Sequence, residues 1–456
     1  GYHNLVFVAT EHDSVYAFDA DGLTNNPVWH DSFIDPAAGV TTVPSADLAT
    51  EDIPVEIGIT GTPVIDPTNG ILYVVAKTKE VTVGSTNYVQ RLHALDIKTG
   101  AEMFGGPAVI QATVPGTAVG SQGGIISFDP LLENQRPALL LNSNVVYVGF
   151  ASHGDNFIWN GFVLGYNATN LQQVSAFCTT PNNTSPGGGV WMGGGGIAAD
   201  TNGNLFFSTG NGTFDANTGG KDYGDSVLQI TPGGSVLDYF TPYNQLYLST
   251  NDLDLAAAGI LLLPDQSGPH PHLLVAAGKS GTIYLVNRDH MGHYSSSGDT
   301  NIVQELANAL PGGGGGIGNH IGPVYFNGQV YFSDDNDYIK SYQLTNGLLS
   351  TSPTSQSSEL YLYPGAPLSV SANGSSDGIL WVVERFGVDA GGNGNTARGI
   401  LRAYDPSNLT NVLYDSNQAG SRDTLDYAAK FSVPLVINGK VFVASQSGLT
   451  VYGLLP

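Results

Sequence analysis

The stretch LVFVATEHDSVYAFD, residues Leu5–Asp19, combines an apolar segment, a short polar turn and a second apolar segment that ends in an aspartate. β-Branched and aromatic residues dominate both segments, so the stretch predicts two antiparallel strands joined by a turn. The pattern returns along the chain at Ile71–Asp96, Val145–Asn167, Leu205–Thr231, Leu273–Asn287, Val330–Gln343, Ile379–Asp405 and Val441–Gly453. A repeat of this kind indicates one supersecondary unit that is copied many times.

Further short strands flank most of these hairpins. One precedes the hairpin and ends in a turn, as in GTPVIDPTNG (Gly61–Gly70) and VPLVING (Val433–Gly439). Another often follows it, as in AEMFGG (Ala101–Gly106). Repeated four-stranded antiparallel units are the blades of a β-propeller. The sequence therefore predicts an all-β fold, a β-propeller of four-stranded blades, formed as a single domain by residues 1–456.

The repeat count predicts eight blades. The second strands of the hairpins begin at Val15, Leu92, Val163, Val227, Ile283, Ile339, Leu401 and Leu449. The first unit lacks an inner strand and the last unit lacks an outer strand. Seven blades are therefore the alternative, in case these two incomplete units close the ring together.

Composition restricts the classes of partner. Acidic residues outnumber basic ones by 39 to 15, which gives a formal net charge of −24. Such a surface repels phosphate backbones, so we expect no nucleic-acid partner. No apolar run approaches the roughly 20 residues of a membrane span. The single cysteine, Cys178, excludes an internal disulfide framework and a C-x-x-C-H haem attachment.

The chain begins with strand-like residues, Val6–Ala9, and no signal peptide is recognisable there. The scarcity of lysine and glutamate and the abundance of asparagine, glycine and threonine favour an exported protein. We therefore expect a secreted protein, extracellular or periplasmic.

Two glycine-rich runs, Gly187–Gly196 and Gly312–Gly322, fall in the connections between predicted blades. On a propeller these connections surround the mouth of the central channel, and glycine lets the backbone approach a flat or bulky group closely. Trp191 lies within the first run, either facing the channel or wedged between two blades. The segment Thr209–Ser226 is rich in Asp, Asn and Gly, which suits either a Ca²⁺ site or ordinary Asx-turns.

The extended repeat VFVATEHDSVYAFDADG resembles the pyrroloquinoline-quinone-type (PQQ-like) propeller repeat, and the resemblance covers essentially the whole chain. This repeat occurs in quinoprotein dehydrogenases and also in scaffold propellers that bind no cofactor. The resemblance thus implies the fold, and leaves the choice between enzyme and scaffold open.

A closer resemblance to quinoprotein alcohol dehydrogenases covers Gly187 to Arg288. In GGGVWMGGGGIAADTNGNLFFSTGNGTF, Trp191 takes the place of the tryptophan that stacks on the quinone, and Asn211 that of an asparagine that ligates Ca²⁺. In NDLDL, Asp252 resembles the catalytic base and Asp254 a second acid near the metal. In AGKSGTIYLVNRD, Lys279 resembles the lysine that contacts the quinone.

Upstream, ASHGDNFIWNGFVLGY (Ala151–Tyr166) resembles the loop that carries the family's metal-binding glutamate, with Asp155 or Asn156 in its place. The chain departs from the family in this replacement, and also because Cys178 lacks the adjacent cysteine found beside the quinone. The resemblance implies PQQ and Ca²⁺ as cofactors, an alcohol or sugar as substrate, and an external electron acceptor.

Two further functions remain open at the level of sequence. One is a non-catalytic extracellular propeller that serves as an interaction or assembly scaffold, since unpaired edges at the first and last blades can recruit a strand from another copy. The other is a glycan-binding propeller that uses Trp29, Trp159 or Trp381.

Overall fold

A computed structural model describes residues 4–313, 317–386 and 398–454 of the chain. The chain forms an eight-bladed β-propeller of antiparallel sheets, with 44% of the residues in strands and 6% in helices. This confirms the predicted fold class and selects eight blades over seven. The only α-helix among the described residues, Gln245–Thr250, has six residues.

Four blades consist of four strands that pair in chain order, from the innermost to the outermost. The third blade comprises Leu140–Asn142, Val145–Phe150, Phe162–Asn167 and Gln173–Cys178; the fourth, Ala198–Ala199, Leu205–Ser208, Val227–Ile230 and Val236–Phe240; the fifth, Leu261–Leu262, Leu273–Ala277, Ile283–Asn287 and Gln304–Leu306; and the seventh, Leu368–Asn373, Ser376–Phe386, Arg398–Asp405 and Asn408–Asp415.

The second and sixth blades carry additional strands. The second blade comprises Val64–Asp66, Ile71–Thr82, Ser85–Asp96 and Ala108–Val109, extended by Val40–Pro44 and Glu56–Ile57; the sixth comprises Val324–Phe326, Gln329–Phe332, Asp337–Thr345 and Ser355–Tyr361, with Leu348–Leu349 beside them. The strands Ile71–Thr82 and Ser85–Asp96 have 12 residues each, and Val40 pairs with Glu80 near the end of the first of them. Two short strands, Thr113–Pro115 and Ile125–Ser127, form a separate small sheet.

The first and last blades each have three described strands. The first blade comprises Leu5–Thr10, Ser14–Asp19 and Trp29–Ser32, and the last comprises Leu435–Ile437, Lys440–Ala444 and Leu449–Gly453. They are separate sheets, so they do not close the ring as one blade. Lys440 links them, because its Nζ lies 2.8 Å from the carbonyl oxygen of Ala20 and 2.8 Å from Oδ1 of Asp21.

The core lies between neighbouring blades, where the apolar faces of adjacent sheets pack together. Between the third and fourth blades, for example, Val163 and Leu228 are buried in one cluster. Buried tyrosines also tie one blade to the next. The hydroxyl of Tyr73 donates to the carbonyl oxygen of Ala168 at 2.7 Å. Tyr147 and Tyr331 make the equivalent bonds to Pro232 and Pro406.

Candidate functional site

The predicted site residues lie in loops at one face of the third, fourth and fifth blades. Asp155 and Asn211 each follow the second strand of a blade, as does Lys279. Asp252 and Asp254 lie in the connection from the fourth blade to the fifth. A cavity of about 270 Å³ opens between these loops, and it is lined by Asp155, Trp159, Pro186, Asn211, Asp252 and Asp254.

Lys279 joins the two aspartates of the NDLDL segment. Its Nζ lies 2.8 Å from Oδ1 of Asp252 and 2.6 Å from Oδ2 of Asp254. Burial alone would raise the pKa of Asp254, but Lys279 and a backbone hydrogen bond from Asn211 bring that pKa below its usual value. The pKa of Asp252 is raised, because partial burial outweighs the opposing effect of Lys279. The pair thus combines a firmly ionised carboxylate with a more basic one.

Asn211 connects to both aspartates. Its side-chain Nδ2 donates to Oδ1 of Asp252 at 3.0 Å, and its backbone N–H donates to Oδ1 of Asp254 at 2.8 Å. Its side-chain Oδ1 is buried and, within the described part of the chain, has no hydrogen-bond partner. An unpaired buried acceptor is costly, so this oxygen is suited to accept a hydrogen bond from, or to coordinate, a bound group.

Asp155 lies across the cavity, and Oγ of Ser152 donates to its Oδ1 at 2.7 Å. Desolvation in the cavity wall and the carboxylate of Asp254 raise the pKa of Asp155 to about 6. Asn156 is not brought to the cavity. Its Nδ2 instead donates to the backbone carbonyl of Ala49 at 3.2 Å. Of the two candidates for the family's glutamate position, Asp155 is therefore the one beside the other acids.

Trp191 is half-buried beside the cavity and does not line it. A Cβ added to Gly210 would lie 3.0 Å from Nε1 of Trp191 and would overlap Oδ1 of Asp254, so the ring and the carboxylate both lie against Gly210. Trp159 does line the cavity. Its ring packs edge-on against that of Trp191, with the two ring centroids 6.1 Å apart. Nε1 of Trp159 is buried without a hydrogen-bond partner among the described residues.

The glycines after Trp191 approach other blades rather than a flat ligand. A Cβ on Gly193 would overlap the carbonyl oxygens of His320 and Ala257. The backbone N–H groups of Met192 and Gly193 donate to Ala256 and Ala257. The expectation of an open approach to a bulky group is therefore wrong for this part of the run, because protein backbone fills the space. Within the second glycine run, residues 314–316 lie outside the described residues.

Asp225, near the end of the Thr209–Ser226 segment, is a buried acid next to the site. Asp225 is fully buried, and its Oδ1 accepts from the backbone N–H of Leu255 at 3.2 Å. Burial and the nearby Asp254 raise its pKa well above the usual value. Asp155, Asp225 and Asp252 all have positive φ angles, of 55°, 46° and 55°. Aspartate adopts this left-handed conformation more readily than most residues, and the same conformation occurs elsewhere in the chain, for example at Asp13.

The predicted calcium site does not fit the side chains as they stand. In the described ranges, no group of three or more His, Cys, Asp or Glu side chains is placed to hold a metal ion. The Lys279 ammonium occupies the position between the two carboxylates where a cation would be held. Cys178, the cysteine that lacks the family's adjacent partner, is also buried, and burial raises the pKa of its thiol to about 12. Nε1 of Trp159 and Oδ1 of Asn211, a donor and an acceptor without partners among the described residues, can hydrogen-bond the carbonyl and N–H groups of a planar quinone such as PQQ, whereas Asp155, Asp252 and Asp254 would repel its carboxylates.

No protein-family model matches the chain, and no curated protein sequence matches it. Solved structures do match, over nearly the whole chain. BamB from Moraxella catarrhalis aligns with a TM-score of 0.54 at 12% identity, over 98% of this chain and 93% of that one. A computationally designed protein, Ika8, aligns with a TM-score of 0.51 at 11% identity, over 100% and 94%.

A quinohemoprotein alcohol dehydrogenase, ADHIIG from Pseudomonas putida HK5, aligns with a TM-score of 0.50 at 14% identity, over 97% of this chain and 68% of that one. Sequence identities of 11–14% show the fold alone. Among the described residues, no helix is long and apolar enough to cross a membrane. The chain has the eight-bladed fold of the PQQ-type β-propellers.

Proposed function

We propose that this protein is a quinoprotein-type dehydrogenase that oxidises an alcohol or sugar hydroxyl at the cavity between the third, fourth and fifth blades. One observation carries the proposal. Asn211, Asp252, Asp254 and Lys279, each singled out by the sequence resemblance, form one hydrogen-bonded cluster at this cavity. The likeness in fold to a quinohemoprotein alcohol dehydrogenase supports it.

In this proposal Asp252 is the general base. It lines the cavity, its side chain is 43% exposed, and its raised pKa increases its affinity for a proton. Lys279 and Asn211 hold the carboxylate in place through hydrogen bonds of 2.8 and 3.0 Å. Asp254, almost buried, anchors Lys279 and takes no proton itself. Asp252 would accept the hydroxyl proton as the substrate carbon loses hydride.

PQQ, when bound, would supply the two-electron acceptor for that hydride, and Trp159 would contact it from the cavity wall. The reaction gives a carbonyl product and reduced quinone, which an external electron acceptor must reoxidise. No step depends on calcium, because the acids do not form a metal-ligand cluster here. We also propose that the protein is exported, to the periplasm or to the extracellular space.

Dye-linked oxidation of alcohols and sugars by protein incubated with PQQ tests the function. We expect Asp252→Asn to lower the rate by about 100-fold or more, since it removes the base and keeps the hydrogen-bonding shape. Asp265→Asn is the matched control, because that side chain is 78% exposed and lies outside the cavity. Equal rates for the two variants, or no turnover in the unmodified protein, would contradict the assignment.

A second candidate function is an assembly scaffold. The last blade exposes Leu435 and Ile437 on its inner strand and Val451 on its outer one, at 52%, 53% and 46%. Among the described residues, no strand pairs with the outer edge of Leu449–Gly453. Unpaired strand edges recruit strands from other chains. Light scattering after size exclusion would show concentration-dependent oligomers if this edge binds a second copy, and a monomer at all concentrations if it does not.

A further inference from the structure

A second and larger depression lies on the fourth blade, next to the cavity and separate from it. Its volume is about 600 Å³, and it lies between the loop that begins at Gly212 and the helix Gln245–Thr250. The two walls are joined by hydrogen bonds, from Gly212 N–H to Oγ of Ser249 at 3.1 Å and from Nε2 of Gln245 to the Gly212 carbonyl at 2.8 Å. We call this depression the helix groove.

Aromatic rings form much of the helix groove. Phe214, Tyr243, Tyr247 and Tyr294 line it. Tyr243 and Tyr247 are 45% and 59% exposed, and the rings of Phe214 and Tyr294 lie 5.2 Å apart. Exposed tyrosines grouped in a depression are unusual, because large aromatic side chains gain most from burial. Their faces are available to pack against the apolar face of a ligand.

The remaining lining is polar but uncharged. Amide and hydroxyl side chains, including those of Asn217, Asn244 and Thr213, alternate with the rings. None of the described residues that line the groove carries a charge, although the chain as a whole has a formal net charge of −24. A charged ligand would find no ion-pair partner in this lining, so the groove favours a neutral ligand with many hydroxyl groups.

Asn244 provides an acceptor for such a ligand. It lines the helix groove, and its side chain makes no capping hydrogen bond to the adjacent helix. Its Oδ1 is buried and has no partner in the described part of the protein. A buried acceptor without a partner costs free energy, and a ligand hydroxyl would recover it.

We infer that the helix groove binds a neutral saccharide. Sugar rings present C–H groups on one face and hydroxyls around the edge, which match exposed tyrosine faces flanked by amides and hydroxyls. The volume falls within the range of about 300–1,000 Å³ typical of small-molecule sites. The inference does not rest on the dehydrogenase proposal, because the groove contains none of the acids of the cavity.

The residues differ from those that the sequence suggested for glycan binding. Trp159 is only 3% exposed, at the cavity. Nε1 of Trp29 donates to the Ile97 carbonyl at 2.9 Å, and Nε1 of Trp381 donates to Oγ of Ser371 at 2.8 Å. Trp29 and Trp381 are thus tied to neighbouring backbone and side chains, and tyrosines take the exposed positions of the groove.

Calorimetric titration with maltotriose, cellotriose and triacetylchitotriose, without PQQ or calcium, tests the inference. We expect at least one of the three to bind. We expect Tyr247→Ala and Asn244→Ala each to weaken that binding by about tenfold, and Tyr247→Phe to retain it, because the ring supplies the contact. Tyr427→Ala is the matched control, since Tyr427 is also exposed, at 38%, but lies outside the groove.

Two results would overturn the inference. One is the absence of heat from all three trisaccharides at millimolar concentration. The other is binding that neither Tyr247→Ala nor Asn244→Ala weakens. Both are independent of dehydrogenase activity, so a failed quinone titration and a failed saccharide titration can be told apart.

Discussion

The ammonium nitrogen of Lys279 lies 2.6 Å from Oδ2 of Asp254, and their side chains are only 11% and 5% exposed. The same nitrogen reaches Asp252, so one cation serves two carboxylates. Removing either side chain would leave the charge of the other buried without its partner. This ion pair holds the connection between the fourth and fifth blades against the loop that follows Leu273–Ala277.

Lys279→Met should therefore destabilise the fold markedly. It leaves the Asp254 carboxylate buried without its cation, and breaking such a pair costs about 3–5 kcal/mol. Urea unfolding followed by circular dichroism measures the loss. Lys79→Met is the control, because Lys79 pairs with Asp47 at side-chain exposures of 23% and 21%. A more exposed pair contributes only about 0–1 kcal/mol. Equal losses in the two variants would show that burial does not strengthen the Lys279 pair.

Gly210→Ala should displace Asp254. The added methyl group would overlap Oδ1 of Asp254 and press on the Trp191 ring. Overpacking of this kind costs about 1–3 kcal/mol. We expect a lower melting temperature and a shifted tryptophan emission spectrum. Gly448→Ala, where the methyl group meets nothing within 4 Å, is the control and should change neither. An unchanged melt for Gly210→Ala would mean that the loop is not held as described.

The hydrogen bonds from tyrosines to the next blade should contribute to stability. Tyr73 is 1% exposed, and its hydroxyl bonds to the Ala168 carbonyl. Tyr73→Phe leaves that carbonyl without its partner, at an expected cost of about 1–3 kcal/mol in unfolding free energy. Tyr427→Phe, at an exposed position, should cost less than about 0.5 kcal/mol. Denaturant unfolding of both variants compares them, and equal costs would contradict this role.

Stability should fall as pH rises, partly through Asp13. This residue is fully buried, and burial raises its pKa to about 8, assisted by the carboxylates of Glu11 and Glu56 and opposed by Lys77. The folded state therefore holds a proton that the unfolded state releases above about pH 4. Stability should decline between about pH 4 and about pH 8, by at most about 1.4 kcal/mol per pH unit for this group.

Asp13→Asn tests this pH dependence. Asparagine tolerates the φ angle of 46° at this position and can still accept the backbone N–H of Lys77. We expect the variant to show a shallower loss of unfolding free energy between about pH 5 and about pH 8. Asp265→Asn, at an exposed site, should keep the slope of the unmodified protein. An unchanged slope for Asp13→Asn would contradict the assigned pKa.

The sequence was sufficient for the fold because each blade is built from local hairpins with their own turns. Even the incomplete blades have complete hairpins, Leu5–Asp19 and Val441–Gly453, so the repeat count could be read directly. The strands in the connection between the first and second blades were harder to predict. Val40–Pro44 extends the second blade only because Ile71–Thr82 is long enough to pair with it. That length does not show in a pattern of short repeats.

The candidate site was predictable where it falls on repeated loops. Asn211 and Lys279 follow equivalent strands of neighbouring blades, so the propeller itself places them together. Trp159 was named only as a candidate for glycan binding, and Asp225 only as part of the Thr209–Ser226 segment, because their places at the cavity depend on contacts between loops. The close contact between Gly193 and the backbone of His320 was not predicted for the same reason, because His320 is distant in the chain. The roles of the site residues in catalysis, as distinct from their positions, stay predictions.

The most direct test of the central claim is a titration of purified protein with PQQ, followed by tryptophan fluorescence, with and without added calcium. We expect saturable quenching, because Trp159 lines the cavity and Trp191 lies behind it. Trp159→Phe should reduce the amplitude, and Trp381→Phe, in the seventh blade, should leave the affinity unchanged. Linear, unsaturable quenching in the unmodified protein would show that the cavity does not bind the quinone.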